Sequence, residues 1–595
     1  MAKGAQAGVA QGHRGLSSLQ GLAALSLDAL SSVAYGPEAI VLVLAAAGTS
    51  GLRATLPITV GIAVLLAVLT VSYRQVIAVH PDGGGAYAVS AAHLGPRAAR
   101  VAAASLIIDY VLTVAVSITA GIAALTSAFP GVGGHPVLLS LAVLAALTAV
   151  NLVGLAESAK VLMAPTVLFI IGILGVVVVG LIRSHPAVRD HGATLVSGSL
   201  KGLGLVLVAK AFAAGCTSLT GVEAIANAVP TFRENKVARA QRTEVMLGVL
   251  LGAMLLGLAV LIGKFSLQPR SGVTLLDQMT AASFGHTVPY YVLGLTTTAI
   301  LAFAANTSFG GLPILLSLLA RDHLMPHWFG LRGEKPVYRT GITVLAVFAG
   351  ALIVAVGGDT QRLIPLFAIG VFIGFTLSQA GLVRYWWTTR PSGWAGKATL
   401  NGLGAVLSGV AAVVFLASKF LAGAWLVVVL VTAFVALFSR VRRYYDRVGR
   451  ALHLGEVPPS PRAKPSQVIV PVGGVNEMTA AALSAALSMG GSVLALSVQH
   501  DDEGADELRN AWEAWACNVE LHVIVTDSRT LVDPVVQFVC SRVALGGQVT
   551  VLIPEVEPRH VRYQVLQNQR GFILANQLRM RTDATVATYP FRIGD

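Results

Sequence analysis

The first apolar segment of the chain is interrupted by a polar stretch, Leu27-Asp28-Ala29-Leu30-Ser31-Ser32-Val33-Ala34-Tyr35-Gly36-Pro37-Glu38. The segment around it, residues 16–47, exceeds the roughly 20 residues that a helix needs to cross a bilayer. Proline lacks an N–H group and glycine relaxes the backbone, so the stretch predicts a helix that breaks inside the membrane. At that depth, irregular backbone is tolerated only where it lines a cavity within the protein.

A second apolar segment, residues 202–230, is interrupted by Cys216-Thr217-Ser218-Leu219-Thr220-Gly221-Val222-Glu223. Both interruptions contain the frame Gly-x-Glu-Ala-Ile, which begins at Gly36 and at Gly221. Each opens a set of five apolar segments, as in transporters whose two discontinuous helices meet at a central binding site. We therefore predict a shared cavity, with two unrelated kinks as the alternative. The predicted break residues are Ser32, Gly36, Pro37, Ser218 and Gly221.

The composition supports a membrane protein with a soluble appendage. Only 12% of the 595 residues are charged, against about 25% in soluble proteins. Residues 1–450 have a net charge of +17 and residues 451–595 a net charge of −4. The first part contains twelve apolar runs, and its Lys and Arg residues concentrate in alternate connections. This asymmetry predicts twelve transmembrane helices with both termini in the cytoplasm.

The domain boundaries follow from the same change in pattern. We predict a transmembrane domain at 1–450, a proline-rich linker at 451–465 and a cytoplasmic α/β domain at 466–595. The predicted strands of this mainly parallel domain are 467–472, 492–498, 519–525 and 548–553. It lacks a phosphate-binding loop, so we expect a structural, dimerising or regulatory role.

Three acids, Asp28, Asp109 and Glu223, lie inside apolar segments. Together they would cost roughly 8 to 10 kcal/mol to insert, which implies a function. Asp109 and Thr113 share one helix face. Carboxylate and hydroxyl oxygens that converge on a cavity predict a site for a hard cation or a proton. A helix-capping role for Asp28 and a structural hydrogen bond for Asp109 are the alternatives.

Three other features have less specific interpretations. Lys210 either extends to the membrane surface or pairs with one of the acids. The glycine-rich loop from His80 to Tyr87 matches no nucleotide-binding pattern and predicts a tight turn. Asn306 either lines the cavity or joins neighbouring helices. The soluble stretches contain no Ser/His/Asp or Cys/His constellation, so the sequence does not indicate an enzyme. It also offers no output module such as a kinase or a DNA-binding helix pair, so it does not indicate a sensor.

Several motifs resemble the amino acid-polyamine-organocation (APC) superfamily, and more closely its branch of bacterial KUP-type proton-coupled potassium importers. They are Leu27 to Gly36, Ser72-Tyr73-Arg74-Gln75, Pro81 to Tyr87, Asp109 to Ser117, Thr220 to Ile225, Ala305-Asn306-Thr307 and Arg321 to Pro326. The resemblance covers essentially the whole chain.

This resemblance implies an all-α membrane fold of the LeuT-like type with a 5+5 inverted repeat, in a homodimer in the bacterial cytoplasmic membrane. It implies potassium uptake coupled to protons, without a cofactor, through Asp28, Tyr35, Asp109, Tyr110, Thr113, Thr220 and Glu223. Asp28, Asp109, Thr113 and Thr220 would bind potassium. The C-terminal part resembles a universal-stress-protein fold, for which family analogy suggests a regulatory cyclic dinucleotide. Phe367 departs from the importer pattern, which has tyrosine there.

The alternative function is a proton-coupled amino acid permease of the same superfamily. In such a protein the substrate carboxylate lies at the N-terminal ends of the half-helices. Glu223, next to the second break, would repel that carboxylate unless it is protonated or contacts the substrate amine. The acids therefore favour a cation as the substrate.

Overall fold

The computed structural model describes residues 15–83, 85–154, 159–188, 204–270, 272–331, 338–462, 464–527, 531–557 and 569–592. The chain divides into two compact units, Met1–Leu454 and Gly455–Asp595. The first is helical, and the second is an α/β unit.

The first nine helices of the helical unit include the two that flank the first break. They are α1 (Ser18–Leu25), α2 (Leu27–Ser31), α3 (Gly36–Leu44), α4 (Gly48–Leu52), α5 (Thr55–Val79), α6 (Ala86–His93), α7 (Pro96–Ala128), α8 (Pro136–Val153) and α9 (Ala159–Ile182). The rest of the unit contains α10 (Leu205–Gly215), α11 (Ala224–Asn227), α12 (Lys236–Phe265), α13 (Leu275–Phe284), α14 (Val288–Arg321), α15 (Arg339–Ala355), α16 (Thr360–Thr389), α17 (Trp394–Lys419) and α18 (Trp425–Ala451).

Eleven segments of the described chain are long and apolar enough to cross a membrane. The remaining predicted segment coincides with α15, which is apolar but has only 17 residues. At 1.5 Å per residue α15 extends about 26 Å, slightly less than the hydrocarbon core of a bilayer. The count of twelve spans therefore stays a prediction.

The long helix α7 lies at the centre of the helical unit and packs against α14 and α16. Small residues permit this close approach. A Cβ atom at Gly370 of α16 would lie 3.3 Å from the Ser105 carbonyl oxygen of α7. By contrast, α8 and α18 have few buried residues despite their apolar composition. These two helices are thus suited to face lipid.

Asn306 on α14 has a structural partner. Its Oδ1 accepts a hydrogen bond of 2.6 Å from Nδ2 of Asn151 on α8. This hydrogen bond joins α14 to α8, in agreement with one of the two interpretations of Asn306.

The second unit contains a parallel five-stranded sheet in the order β3-β2-β1-β4-β5. Its strands are β1 (Ser466–Pro471), β2 (Ser492–Gln499), β3 (Glu520–Val525), β4 (Gln548–Glu557) and β5 (Thr585–Arg592), and its helices are α19 (Glu477–Ser488), α20 (Asp502–Trp515), α21 (Val532–Ala544) and α22 (Gln569–Arg581). The four predicted strands and the parallel sheet are confirmed. The fifth strand was not predicted, because Pro590 weakens the strand pattern of its sequence. It lies at an edge of the sheet, where a proline is tolerated.

Candidate functional site

The first helix break lies between α2 and α3. A single 3₁₀ turn, Ser32–Ala34, follows α2, and α3 then begins at Gly36 with Pro37 in its first turn. Proline is favoured at that position because its missing N–H would have no helical partner anyway. The chain therefore stops one helix and starts another within five residues.

The second break lies between α10 and α11. After α10 the chain forms a 3₁₀ turn over Cys216–Leu219, and Thr220 is extended. Gly221 has a φ of +75°, a conformation that other residues adopt only with strain. The glycine thus allows the chain to leave the helical path before α11 begins.

The two breaks contact each other directly. The Ser32 hydroxyl lies 2.7 Å from the Ser218 carbonyl oxygen and 2.7 Å from the Ala29 carbonyl oxygen, and it can donate to only one of them at a time. A Cβ atom at Gly36 would lie 1.9 Å from the Ser218 Oγ. A Cβ at Gly221 would lie 2.7 Å from the Asp28 Oδ2. Both glycines of the repeated frame therefore lie where one break packs against the other.

The three membrane acids lie around this contact. Asp28 is on α2, Asp109 is on α7, and Glu223 directly precedes α11. The three carboxyl groups are close enough to interact electrostatically. Within the described part of the chain, the Oδ1 atoms of Asp28 and Asp109 are buried and have no hydrogen-bond partner. Neither acid is therefore explained by a structural hydrogen bond at that oxygen.

The predicted hydroxyl groups come from three elements. The Tyr35 and Thr220 hydroxyls, one from each break, lie 3.4 Å apart. Tyr110 follows Asp109 on α7, and its ring packs against Gly311 of α14, where a Cβ would lie 2.5 Å from its Cε1. Thr113 is buried one turn further along α7. The predicted site residues thus come from both breaks and from α7.

Helix α16 contacts the acids through two glycines that were not predicted. A Cβ atom at Gly370 would lie 3.8 Å from the Asp109 Cβ, and one at Gly374 would lie 3.8 Å from the Glu223 Oε2. The spacing Gly-x-x-x-Gly in an apolar helix is the signal that indicates such a close approach. Phe367, one turn before Gly370, is fully buried and supplies no hydroxyl group.

Tyr73 and Glu244 extend the polar region beyond the predicted residues. The Tyr73 hydroxyl on α5 donates a hydrogen bond of 3.3 Å to the Glu223 Oε2. Glu244 on α12 interacts electrostatically with the same tyrosine. It has no exposed surface, and neither of its carboxylate oxygens has a partner among the described residues. Glu244 is therefore a further buried acid of the helical unit, beyond the three that the sequence predicts.

Lys210 does not pair with these acids. It is half-buried on α10 and forms no ion pair within the described ranges.

The glycine-rich loop after α5 is a turn, as predicted. A Cβ at Gly83 would lie 2.8 Å from the Asn227 carbonyl oxygen at the end of α11, and Asp82 forms an ion pair of 2.9 Å with Lys236. Gly84 lies outside the described residues.

Two neighbouring histidines, His80 at the end of α5 and His93 at the end of α6, predict a pH effect on stability. The Nε2 atoms of His80 and His93 lie 3.1 Å apart. Burial and then the neighbouring His93 lower the pKa of His80 below its ordinary value of 6.5. Burial and then Arg384 lower the pKa of His93. Because both folded pKa values are depressed, the unfolded chain binds more protons, and stability is lost as the pH falls through 6.5.

The variant His93→Gln tests this effect. It removes one titrating ring, so its melting temperature should fall less than that of the wild type between about pH 7.5 and about pH 5.5. The measurement is thermal unfolding of the purified protein in detergent. An equal fall in both proteins would show that the histidine pair does not contribute.

The first comparison defines the class of protein. Residues 21–438 match the family described as amino acid permease. The chain therefore belongs to the amino acid permease family of the APC superfamily, and it is a membrane transporter and not an enzyme. The resemblance that the sequence motifs indicate is confirmed.

A more specific relative is the potassium transporter KimA of Bacillus subtilis (strain 168). It is 38% identical to this chain over 588 residues, which cover 98% of this chain and 96% of the relative. Residues 463–591 match the KimA potassium transporter C-terminal domain. Among solved structures, the manganese transporter of Eremococcus coleocola, crystallised with an aromatic bis-isothiourea substituted compound, has a TM-score of 0.41 and 14% identity, covering 73% of this chain and 95% of that chain.

Proposed function

We propose that the protein imports potassium together with protons. The observation that carries the proposal is the convergence of three carboxyl groups on the contact between two broken helices, where two buried carboxylate oxygens lack partners among the described residues. In a membrane interior such charge must be neutralised. A cation and a proton can neutralise it together.

The proposed potassium ligands come from three elements. Asp28 and Asp109 supply carboxylate oxygens, and Thr113 and Thr220 supply hydroxyl oxygens, which suit a hard cation. Tyr35 and Tyr110 line the same site. Phe367 provides no further oxygen, so the ion depends more strongly on the acids. Such a site must hold its ion weakly enough to release it into the cell.

The proposed proton-binding group is Glu223. Its carboxylate already accepts a hydrogen bond from Tyr73, and a tyrosine hydroxyl can both donate and accept hydrogen bonds. Glu244 interacts with the same tyrosine and is the next carboxyl group that a proton can reach. We assign this pair to the proton pathway, with Asp28 and Asp109 mainly at the cation.

The relative supports potassium over an amino acid as the substrate, because KimA of Bacillus subtilis is a potassium transporter by name and shares 38% of its residues with this chain. The acids beside the breaks support the same choice, since they repel the carboxylate of an amino acid. We further assign the chain to a LeuT-like 5+5 inverted repeat with twelve spans. The basic connections support cytoplasmic termini in the cell membrane.

For the C-terminal unit we propose a universal-stress-protein-like domain that joins two copies of the chain in a homodimer. The parallel sheet with crossover helices supports the first part of this assignment. A cyclic dinucleotide is the proposed regulatory ligand, by analogy with the family. The proposed domain limits are 1–450, 451–465 and 466–595.

Complementation tests the proposed function. A bacterium that lacks its potassium importers should grow at low potassium when it expresses this protein. The matched control is Asp82→Asn, which neutralises an acid whose side chain is 88% exposed and should leave growth unchanged. Absence of growth with the correctly inserted wild type, together with uptake of a labelled amino acid, would instead support the permease.

A further inference from the structure

A cavity of about 170 Å³ with several polar lining residues lies beside the first break, at its Glu38 end. Its lining includes Tyr35, Glu38, Thr297, Asp359 and Gln361. Tyr35 also contacts Thr220 of the second break. This tyrosine therefore separates the cavity from the three acids, and the proposed topology places the cavity on the outer side.

Glu38 gives the cavity a carboxylate held in a defined position. Its Oε2 accepts a hydrogen bond of 3.1 Å from the backbone N–H of Leu275, and its Oε1 lies 3.4 Å from the Gln361 Nε2. These contacts join α3 to α13 and α16. The carboxylate is thus oriented by a backbone and an amide group, neither of which carries a positive charge.

The charge around Glu38 is predominantly negative. Asp277 and Asp359 are both close enough to interact with it electrostatically. Arg362 pairs with Asp359 at 3.2 Å, but both side chains are substantially exposed, and exposed ion pairs contribute little. The acids of the cavity therefore attract cations from solution.

A separate observation supports a ligand in this cavity. The side chain of Thr297 on α14 is 2% exposed, and its hydroxyl has no hydrogen-bond partner among the described residues. The same residue lines the cavity. A buried hydroxyl without a protein partner is costly, and a cation or its water shell would satisfy it.

We propose that this cavity is an entry site that binds a partly hydrated monovalent cation before it passes Tyr35. The space accommodates an ion with several waters, and carboxylate and hydroxyl oxygens suit a hard cation. In the described part of the chain, no group of three or more acidic, His or Cys side chains has the arrangement of a metal-binding site. The entry site rests on the proposed transport function.

The test is rubidium uptake by intact cells that lack potassium importers of their own. In such cells the added rubidium reaches this protein only from outside the cell. Glu38→Gln keeps the shape of the side chain and an oxygen for the Leu275 N–H. Its KM for rubidium should rise by about three- to tenfold while the maximal rate stays near that of the wild type. Thr297→Val, which keeps the volume and removes the hydroxyl, should raise KM in the same direction.

The control is Asp82→Asn, which should leave KM unchanged. Wild-type KM in both Glu38→Gln and Thr297→Val would overturn the entry site while the transport function stands. Absence of rubidium uptake by the wild type itself would instead contradict the transport function. Elution of each variant as a single species in detergent confirms that a change in KM does not arise from misfolding.

Discussion

Rubidium uptake by the Asp109→Asn variant in liposomes is expected to be at least about tenfold slower than that of the wild type. Asparagine has nearly the same shape but carries no charge, so the cation loses one of its two carboxylate ligands. The buried Oδ1 has no partner in the described structure. The substitution therefore removes no hydrogen bond of that oxygen and should not lower the melting temperature.

This separation of transport from stability is the informative part of the experiment. If Asp109 were a structural residue, the asparagine variant would melt at a lower temperature and lose transport in proportion. Wild-type transport by a well-folded Asp109→Asn protein would remove Asp109 from the site. Asp82→Asn again serves as the charge-matched control, since its side chain lies in an exposed loop.

The Gly36→Ala variant is expected to have the second large effect, a loss of most transport activity. The added Cβ would lie 1.9 Å from the Ser218 Oγ and 2.9 Å from the Ser218 Cβ. Overpacking of this kind typically costs about 1 to 3 kcal/mol, and here it falls on the contact between the two breaks. The measurement is again rubidium uptake, normalised to the amount of protein inserted.

A second substitution tests the steric explanation. Ser218→Gly removes both side-chain atoms that the new Cβ would meet and keeps the carbonyl oxygen that accepts from Ser32. The double variant should therefore recover part of the lost transport. Gly396→Ala is the control, because a Cβ there meets nothing within 4 Å. If the double variant is no better than Gly36→Ala, the loss does not come from this contact.

The breaks and the acids of the site were predictable from the sequence because both are rare inside apolar segments. A Gly-Pro pair has a local structural consequence, and the cost of an acid depends mainly on its depth in the membrane. The contact between Ser32 and Ser218 was predictable only in outline. The repeated frame indicates that the two breaks are equivalent, but their distance and orientation depend on how α7, α14 and α16 pack around them.

Other parts of the site depend on tertiary structure that has a weak local signal. Glu244 follows the basic residues at the start of α12, and such an acid is usually exposed; the packing of α5 against α12 buries it. Tyr73 contacts Glu223 across 150 positions of sequence. The glycines at 370 and 374 do have a local signal, since their spacing of four places both on one helix face.

The most direct test of the account is coupled flux through the purified protein in liposomes, with rubidium and a pH-sensitive dye measured together. An inward proton gradient should drive rubidium accumulation, and addition of rubidium should acidify the lumen at the same time. Glu223→Gln should uncouple the two signals, because it removes the proposed proton-binding carboxylate. Rubidium flux with no proton movement, or accumulation of an amino acid without rubidium flux, would contradict the account.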